Sequence, residues 1–340
     1  MKELVKQILI IGTCAVVGKS LHTYTPIYFV LYATIVALYF PYRNLKILVN
    51  FLKPAVISIL IAVMVNEVFT SHQFIIWTLS LFYFDYVRRK CRKQTDITLS
   101  LMPVFNVIFV NTYSSDATYQ NLVIPIISDM LIGMLISVGI IIAFDKIIVT
   151  KPALYERPEP QTEFSVTGLD RLKMLILVGG GLAFMMITSS INSTFCLVPF
   201  IVISMQPSKK EMLEEVRFRG LTQVLGCIFA LVFLFIFAST MYNLLGYFLL
   251  VTILVYVFLT LSKNADITTQ KVIKDTLMGA IVTIQLYVGS NDSLLNIHDI
   301  TLRIVQLCLA LGTVMMFCML LSDDCSNSEL KTHQKTSLPN

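Results

Sequence analysis

Acidic residues inside long apolar runs stand out in this sequence, because packing alone does not explain a charge there. Glu67 lies near the end of one such run, and Asp129 lies inside another. If these runs cross a bilayer, a carboxyl group within them takes up a proton more readily than it does in water. Glu67 and Asp129 are therefore candidate proton-coupling residues. The alternatives are an interfacial position for Glu67 and a structural pair with a neighbouring helix for Asp129.

Three arginines are candidates for binding an anionic substrate. Arg303 begins an apolar run, while Arg217 and Arg219 immediately precede another. The planar guanidinium group matches the geometry of a carboxylate, so these residues suit an organic anion. The alternative for Arg303 is an interfacial anchor. The alternative for Arg217 and Arg219 is the positive charge that cytoplasmic loops ordinarily carry.

Four uncharged residues are candidates for lining a pathway or for packing helices together. Asn106 and Gln285 lie at similar depths in two apolar runs, and Thr222 is followed one turn later by Gly226. Amide side chains commonly form hydrogen bonds between membrane helices, and small residues allow two helices to approach closely. Contact with a substrate is the second interpretation of Asn106 and Gln285, and a position along the pathway is that of Thr222 and Gly226.

The sequence shows no pattern typical of a metal site, a cofactor site or a catalytic pair. Its seven cysteines mostly lie in apolar runs, without metal-ligand spacing. His298-Asp299 is the one adjacent histidine–carboxylate pair. The segment from Gly12 to Ser20 resembles a phosphate loop, but five residues rather than four separate its glycines, and no strand precedes it. We therefore expect no enzymatic activity and no cofactor.

The composition determines which elements must position these residues. Hydrophobic residues make up 56% of the chain and charged residues 14%, with a mean hydropathy of +0.76. Soluble domains carry roughly 25% charged residues. The apolar runs, for example residues 221–240, are continuous rather than alternating, which indicates transmembrane helices and excludes a β-barrel. The sequence predicts an all-α polytopic membrane protein.

Apolar runs between polar breaks predict about twelve transmembrane helices. The first six cover residues 7–19, 25–40, 54–70, 73–87, 97–113 and 123–147, and the second six cover 172–189, 193–206, 220–239, 241–261, 275–290 and 300–322. Of the 26 lysines and arginines, only Lys19 and Arg303 fall outside the segments that this count makes cytoplasmic. Both termini are therefore predicted to be cytoplasmic. Because topology explains the net charge of +5, we expect membrane lipids but no nucleic acid as partners.

The predicted spans divide the chain into two parallel six-helix repeats. Leu101-Met102-Pro103 of the first half aligns with Leu277-Met278-Gly279 of the second. We predict an N-terminal membrane repeat at residues 1–150, a cytoplasmic linker rich in proline and charge at 151–171, a C-terminal membrane repeat at 172–322 and a polar cytoplasmic tail at 323–340. Two parallel bundles are a layout typical of transporters.

One local motif adds a family resemblance to this layout. Gln206-Pro207-Ser208 is followed by Arg217-Phe218-Arg219-Gly220, and then by Thr222 and Gly226 at the entry to the next span. This pattern resembles the fusaric acid resistance, or aromatic acid exporter (FUSC-like), superfamily, and in particular its compact bacterial members of DUF2955 type. The resemblance implies efflux of small aromatic or amphipathic organic acids across a bacterial inner membrane, often beside a HlyD-like periplasmic adaptor.

The sequence thus predicts a secondary, proton-coupled exporter of small organic anions in the bacterial inner membrane, with homo-oligomers as an option. Two alternatives stay open. The first is a major-facilitator-type transporter, although the basic, glycine-rich motif usual after its second span is absent from residues 41–53. The second is a non-transporting membrane component of an envelope assembly, which would move no solute.

Overall fold

The computed structural model describes residues 2–21, 23–40, 45–116, 118, 122–148, 163–188, 191–239, 243–287 and 297–320. These residues form helices joined by short connections, and no strand occurs among them. The predicted linker lies outside the described residues up to position 162, as does the predicted tail at 323–340. The all-α prediction is confirmed for the described chain.

The described residues of the first half form six helices. They are α1 (Lys2–Ser20), α2 (Ile27–Tyr39), α3 (Leu45–Val68), α4 (Gln73–Lys90), α5 (Gln94–Ser115) and α6 (Val123–Ile147). The second half begins with one continuous helix made of α7 (Gly168–Met174), a π-helical turn (Leu175–Gly179) and α8 (Gly180–Thr188). It continues with a 3₁₀ segment (Ile191–Leu197), α9 (Val198–Ser204), α10 (Lys209–Ser239), α11 (Leu244–Lys263), α12 (Ile267–Tyr287) and α13 (Ile297–Leu320).

Seven helices in the described part of the chain are long and apolar enough to cross a membrane. They cover Leu48–Val68, Gln94–Ser115, Val123–Ile147, Gly168–Thr188, Lys209–Ile236, Leu244–Lys263 and Ile297–Leu320. These segments indicate a multi-pass membrane protein. The other five predicted spans overlap α1, α2, α4, α9 and α12, which are helical but shorter or more polar. Twelve crossings therefore stay a prediction.

Several helices begin before the apolar runs that predict them. The predicted span at 220–239 belongs to α10, which starts at Lys209, and the span at 275–290 belongs to α12, which starts at Ile267. An apolar run ends where the first charged residues begin. The helix continues through them, because Lys, Glu and Arg are good helix formers. Charged side chains predicted for loops therefore lie on the same helices as these apolar runs.

The most buried helices lie where the two halves meet. Every residue of α2 except Tyr39 is buried, and so are six of the seven residues of α9, from Pro199 to Ser204. Pro26 is the N-cap of α2 and Pro199 lies in the first turn of α9, so both prolines start short helices rather than interrupt long ones. By contrast, α3, α10, α11 and α13 expose large apolar side chains on one face, which suits contact with lipid.

Candidate functional site

A cavity of about 140 Å³ lies between the two halves of the protein. Its walls come from α2 and α5 of the first half, and from the 3₁₀ segment, α9, α10, α12 and α13 of the second. Each long helix contributes a single face. On α12, for example, Lys271, Asp275, Met278 and Val282 follow helical spacing along the wall. We call this space the central cavity.

The middle of the central cavity is apolar. The rings of Phe105 on α5 and Phe195 on the 3₁₀ segment lie 4.9 Å apart between centroids, one from each half. The apolar lining residues are Leu31, Ile35, Ile97, Leu101, Met102, Phe105, Phe195, Val198, Val202, Met278 and Val282. Such a surface binds an aromatic or aliphatic body by the hydrophobic effect and by ring contacts.

Four charged residues and a tyrosine form a cluster at one end of the central cavity. Arg219 donates from Nε to Glu215 at 2.8 Å, and its Nη1 lies 3.4 Å from Oδ2 of Asp275. Lys271 contacts the second oxygen of Glu215 at 3.3 Å, and the Tyr39 hydroxyl donates to Oδ1 of Asp275. We call these five residues the charged cluster. It connects α2 of the first half with α10 and α12 of the second.

Arg303 lies at the other end of the central cavity, where α12 ends and α13 begins. Only 2% of its surface is exposed, and its guanidinium carbon lies 5.9 Å from the centroid of the Tyr287 ring. Within the described chain, Nε and Nη1 of Arg303 have no hydrogen-bond partner. A buried cation with free donors is costly unless an anion pairs with it. This geometry makes Arg303 the cavity residue best placed to bind a carboxylate.

The three arginines predicted to bind an anion differ in position. Arg219 and Arg303 both line the central cavity, but Arg219 is already paired with two carboxylates. Arg217 is exposed and is not part of the cavity wall. Its exposure fits the topological interpretation of a cytoplasmic positive charge. Of these three arginines, Arg303 is therefore the buried one with unpaired donors.

The two acidic residues predicted to couple protons lie away from the central cavity. Glu67 is exposed at the end of α3 and lines a separate hollow of about 110 Å³, together with Asn66 and Thr70. Oδ2 of Asp129 accepts a 2.7 Å hydrogen bond from the backbone N–H of Tyr24, which lies in the connection from α1 to α2. Asp129 thus positions this connection, and its role in proton coupling stays a prediction.

The two amide candidates connect helices and do not line the central cavity wall. Asn106 is fully buried and donates from Nδ2 to the carbonyl oxygen of Ala55 on α3 at 3.3 Å. Gln285 donates to the carbonyl oxygen of Ala15 on α1 at 3.2 Å, and accepts from the hydroxyl of Tyr247 on α11. Each amide thus forms hydrogen bonds between helices. Asn106 joins α5 to α3, and Gln285 joins α12 to α1 and α11.

Thr222 and Gly226 lie at the contact between α10 and α12. The Thr222 hydroxyl donates to the carbonyl oxygen of Arg219 at 3.4 Å, within its own helix. A Cβ atom on Gly226 would lie only 2.8 Å from the backbone nitrogen of Ala280. This spacing requires glycine, as expected of small residues at a close helix contact.

Four residues of the charged cluster were not among the candidates predicted from sequence: Tyr39, Glu215, Lys271 and Asp275. Glu215 precedes the predicted span at 220–239, and Asp275 marks the start of the span at 275–290, so both resembled loop charges. Their spacing could have indicated the ion pairs. Glu215 and Arg219 are four residues apart and share a helix face, and so do Lys271 and Asp275. Nothing in the sequence indicated that Tyr39 would join them.

Comparison with known proteins gives one partial match. Residues 9–144 match a family described as "Protein of unknown function (DUF2955)". The match covers most of the first six helices, and so supports the DUF2955 part of the predicted resemblance over that region. No curated protein and no solved structure matches the chain.

Proposed function

We propose that this chain is a secondary, proton-coupled exporter of small aromatic or amphipathic organic acids. The observation that carries the proposal is Arg303, a buried cation with unpaired donors that faces a cavity with apolar walls. An amphipathic acid matches both features, because its carboxylate pairs with Arg303 while its apolar body lies against Phe105 and Phe195.

The charges of the central cavity favour an anion over a cation. Its wall carries three cations, Arg219, Lys271 and Arg303, against the two carboxylates Glu215 and Asp275. The two cations and two carboxylates of the charged cluster balance one another, so the excess positive charge is that of Arg303. One organic monoanion bound at Arg303 would neutralise the charge of the cavity. Neutralisation lowers the electrostatic cost of moving the anion through a low-dielectric region.

The proposal includes a topology of twelve crossings in two parallel six-helix repeats, with both termini in the cytoplasm of a bacterium. Its support is the composition of the cavity wall. The second and fifth helices of the first half, α2 and α5, line the cavity together with their predicted counterparts, α9 and α12. A binding site where two repeats meet is usual in secondary transporters. The FUSC-like resemblance adds a HlyD-like adaptor as the proposed periplasmic partner.

The test is transport of radiolabelled 4-hydroxybenzoate by the purified chain in proteoliposomes, with and without an imposed pH gradient. We expect uptake by the wild type, and a loss of at least about tenfold in Arg303→Gln, which corresponds to 1.4 kcal/mol of substrate binding. Arg303→Lys should retain part of the activity, because it keeps the charge but not the planar fork.

Arg217→Gln is the matched control, since it removes an exposed arginine outside the cavity wall. Its uptake should stay close to that of the wild type. Equal losses in Arg303→Gln and Arg217→Gln would contradict the assigned site. Absence of uptake by the wild type, even with the adaptor present, would refute the exporter proposal and favour a non-transporting role in an envelope assembly.

A further inference from the structure

We infer that Asp275 binds the proton that drives transport, with Oδ2 as the accepting atom. This inference rests on the proposed function and adds the residue that couples the proton to the central cavity. The sequence predicts Glu67 and Asp129 for this role, but neither is part of the cavity wall. A coupling carboxylate has to respond to the state of the substrate site, and Asp275 lies in the wall of that site.

The two oxygens of Asp275 have different surroundings. Oδ1 accepts the hydrogen bond from the Tyr39 hydroxyl. Oδ2 lies 3.4 Å from Nη1 of Arg219 and has no hydrogen bond from any described residue. A proton can therefore be added to Oδ2 without displacing Tyr39. With 2% of Asp275 exposed, the central cavity is the route by which such a proton would arrive.

Glu215, the other carboxylate of the charged cluster, is held more tightly. Arg219 donates to one of its oxygens at 2.8 Å, and Lys271 contacts the other at 3.3 Å. Protonation of Glu215 would weaken two ion pairs, at 2.8 and 3.3 Å, whereas protonation of Asp275 weakens one, at 3.4 Å. The charged and titratable groups that face Asp275 are Tyr39 on α2, Glu215 and Arg219 on α10, and Lys271 and Lys274 on α12.

The charge of Asp275 also affects how α10 packs against α12. Asp275 joins Tyr39 of α2 to Arg219 of α10 at one end of the central cavity. Neutral Asp275 no longer attracts Arg219, so a bound proton weakens the attachment of α10 to α12 at this end. Proton binding therefore shifts the balance between conformations that differ there, as coupled transport requires.

The experiment measures two activities of proteoliposomes with radiolabelled 4-hydroxybenzoate. One is accumulation driven by a pH gradient, and the other is exchange of labelled for unlabelled acid at equal pH on both sides. The wild type should show both activities. Asp275→Asn, which keeps an acceptor for Tyr39 but cannot ionise, should still exchange while losing accumulation, with a decrease of about tenfold or more. The controls Asp129→Asn and Glu67→Gln should keep the gradient response.

Loss of exchange as well as accumulation in folded Asp275→Asn overturns the inference, because exchange does not need a coupling carboxylate. Accumulation retained in Asp275→Asn also overturns the inference, and accumulation lost in Asp129→Asn or Glu67→Gln instead assigns coupling to that residue. Absence of both activities in the wild type overturns the proposed function, and the inference with it. If Asp275→Asn does not fold, as judged by size-exclusion chromatography, Asp275→Glu decides. Its longer carboxyl group should move the pH of half-maximal accumulation, and an unchanged pH profile would overturn the inference.

Discussion

Gly226 of α10 packs against Ala280 of α12 without room for a side chain between them. An added Cβ atom on Gly226 would lie 2.8 Å from the backbone nitrogen of Ala280 and 2.8 Å from the carbonyl carbon of Gly279. The clash is with backbone atoms, so a side-chain rotation cannot relieve it. This contact sets the spacing of two helices that both contribute to the wall of the central cavity.

We expect Gly226→Ala to destabilise the protein by about 1–3 kcal/mol, the usual effect of overpacking a close contact. The measurement is thermal unfolding in detergent, followed by intrinsic fluorescence. Gly139→Ala on α6 is the control, because nothing lies within 4 Å of an added Cβ there. The control should be neutral or stabilising, by about 0.5–1 kcal/mol, since alanine favours a helix over glycine. Equal stability of the two variants would contradict the close contact.

Gln285 should be important for stability rather than for substrate selection. Its side chain bonds to Ala15 and Tyr247, which belong to α1 and α11. Gln285→Met removes these hydrogen bonds at similar volume and should cost about 1–2 kcal/mol, given the typical value of interhelical hydrogen bonds in membranes. Thermal unfolding measures this loss, while the relative transport rates of several hydroxybenzoates should stay in the wild-type order. A changed order would show contact with the substrate instead.

Asp85 and Arg171 should be energetically coupled across α4 and α7. Arg171 donates from Nη2 to Oδ2 of Asp85 at 2.9 Å, and from Nε to Oδ1. A double-mutant cycle with Asp85→Asn and Arg171→Gln should give a coupling energy of about 1 kcal/mol, near the upper end for partly exposed pairs. The readout is chemical or thermal unfolding at low and high salt, because screening should reduce the coupling. A coupling energy of zero at low salt would contradict this pair.

The predicted topology can be tested at α4, which is one of the five more polar or shorter helices. In a cysteine-free background, Thr70→Cys and Lys93→Cys place thiols just before and just after this helix. If α4 crosses the membrane, a membrane-impermeant maleimide should label Thr70→Cys from outside and Lys93→Cys only after the membrane is opened. Labelling of both from the same side would show that α4 does not cross, and would reduce the number of crossings.

The sequence by itself determined that the fold is built from apolar helices. A chain with 56% hydrophobic residues in continuous runs has to satisfy its backbone hydrogen bonds within helices, and each predicted span overlaps a helical segment of the structure. It also identified Arg303 as a cation at the start of an apolar run. These features depend on local hydropathy and chain length, which require no knowledge of how the helices pack.

Only the tertiary structure decided which polar residues meet. Hydropathy does not fix the rotation of a helix when its lipid face and its protein face are both apolar, so the sequence could not separate Arg303 in the cavity from Arg217 at the surface. For the same reason Tyr39 and Asp275, 236 residues apart in the chain, gave no sign that they form a hydrogen bond. Their contact arises where the two halves pack together.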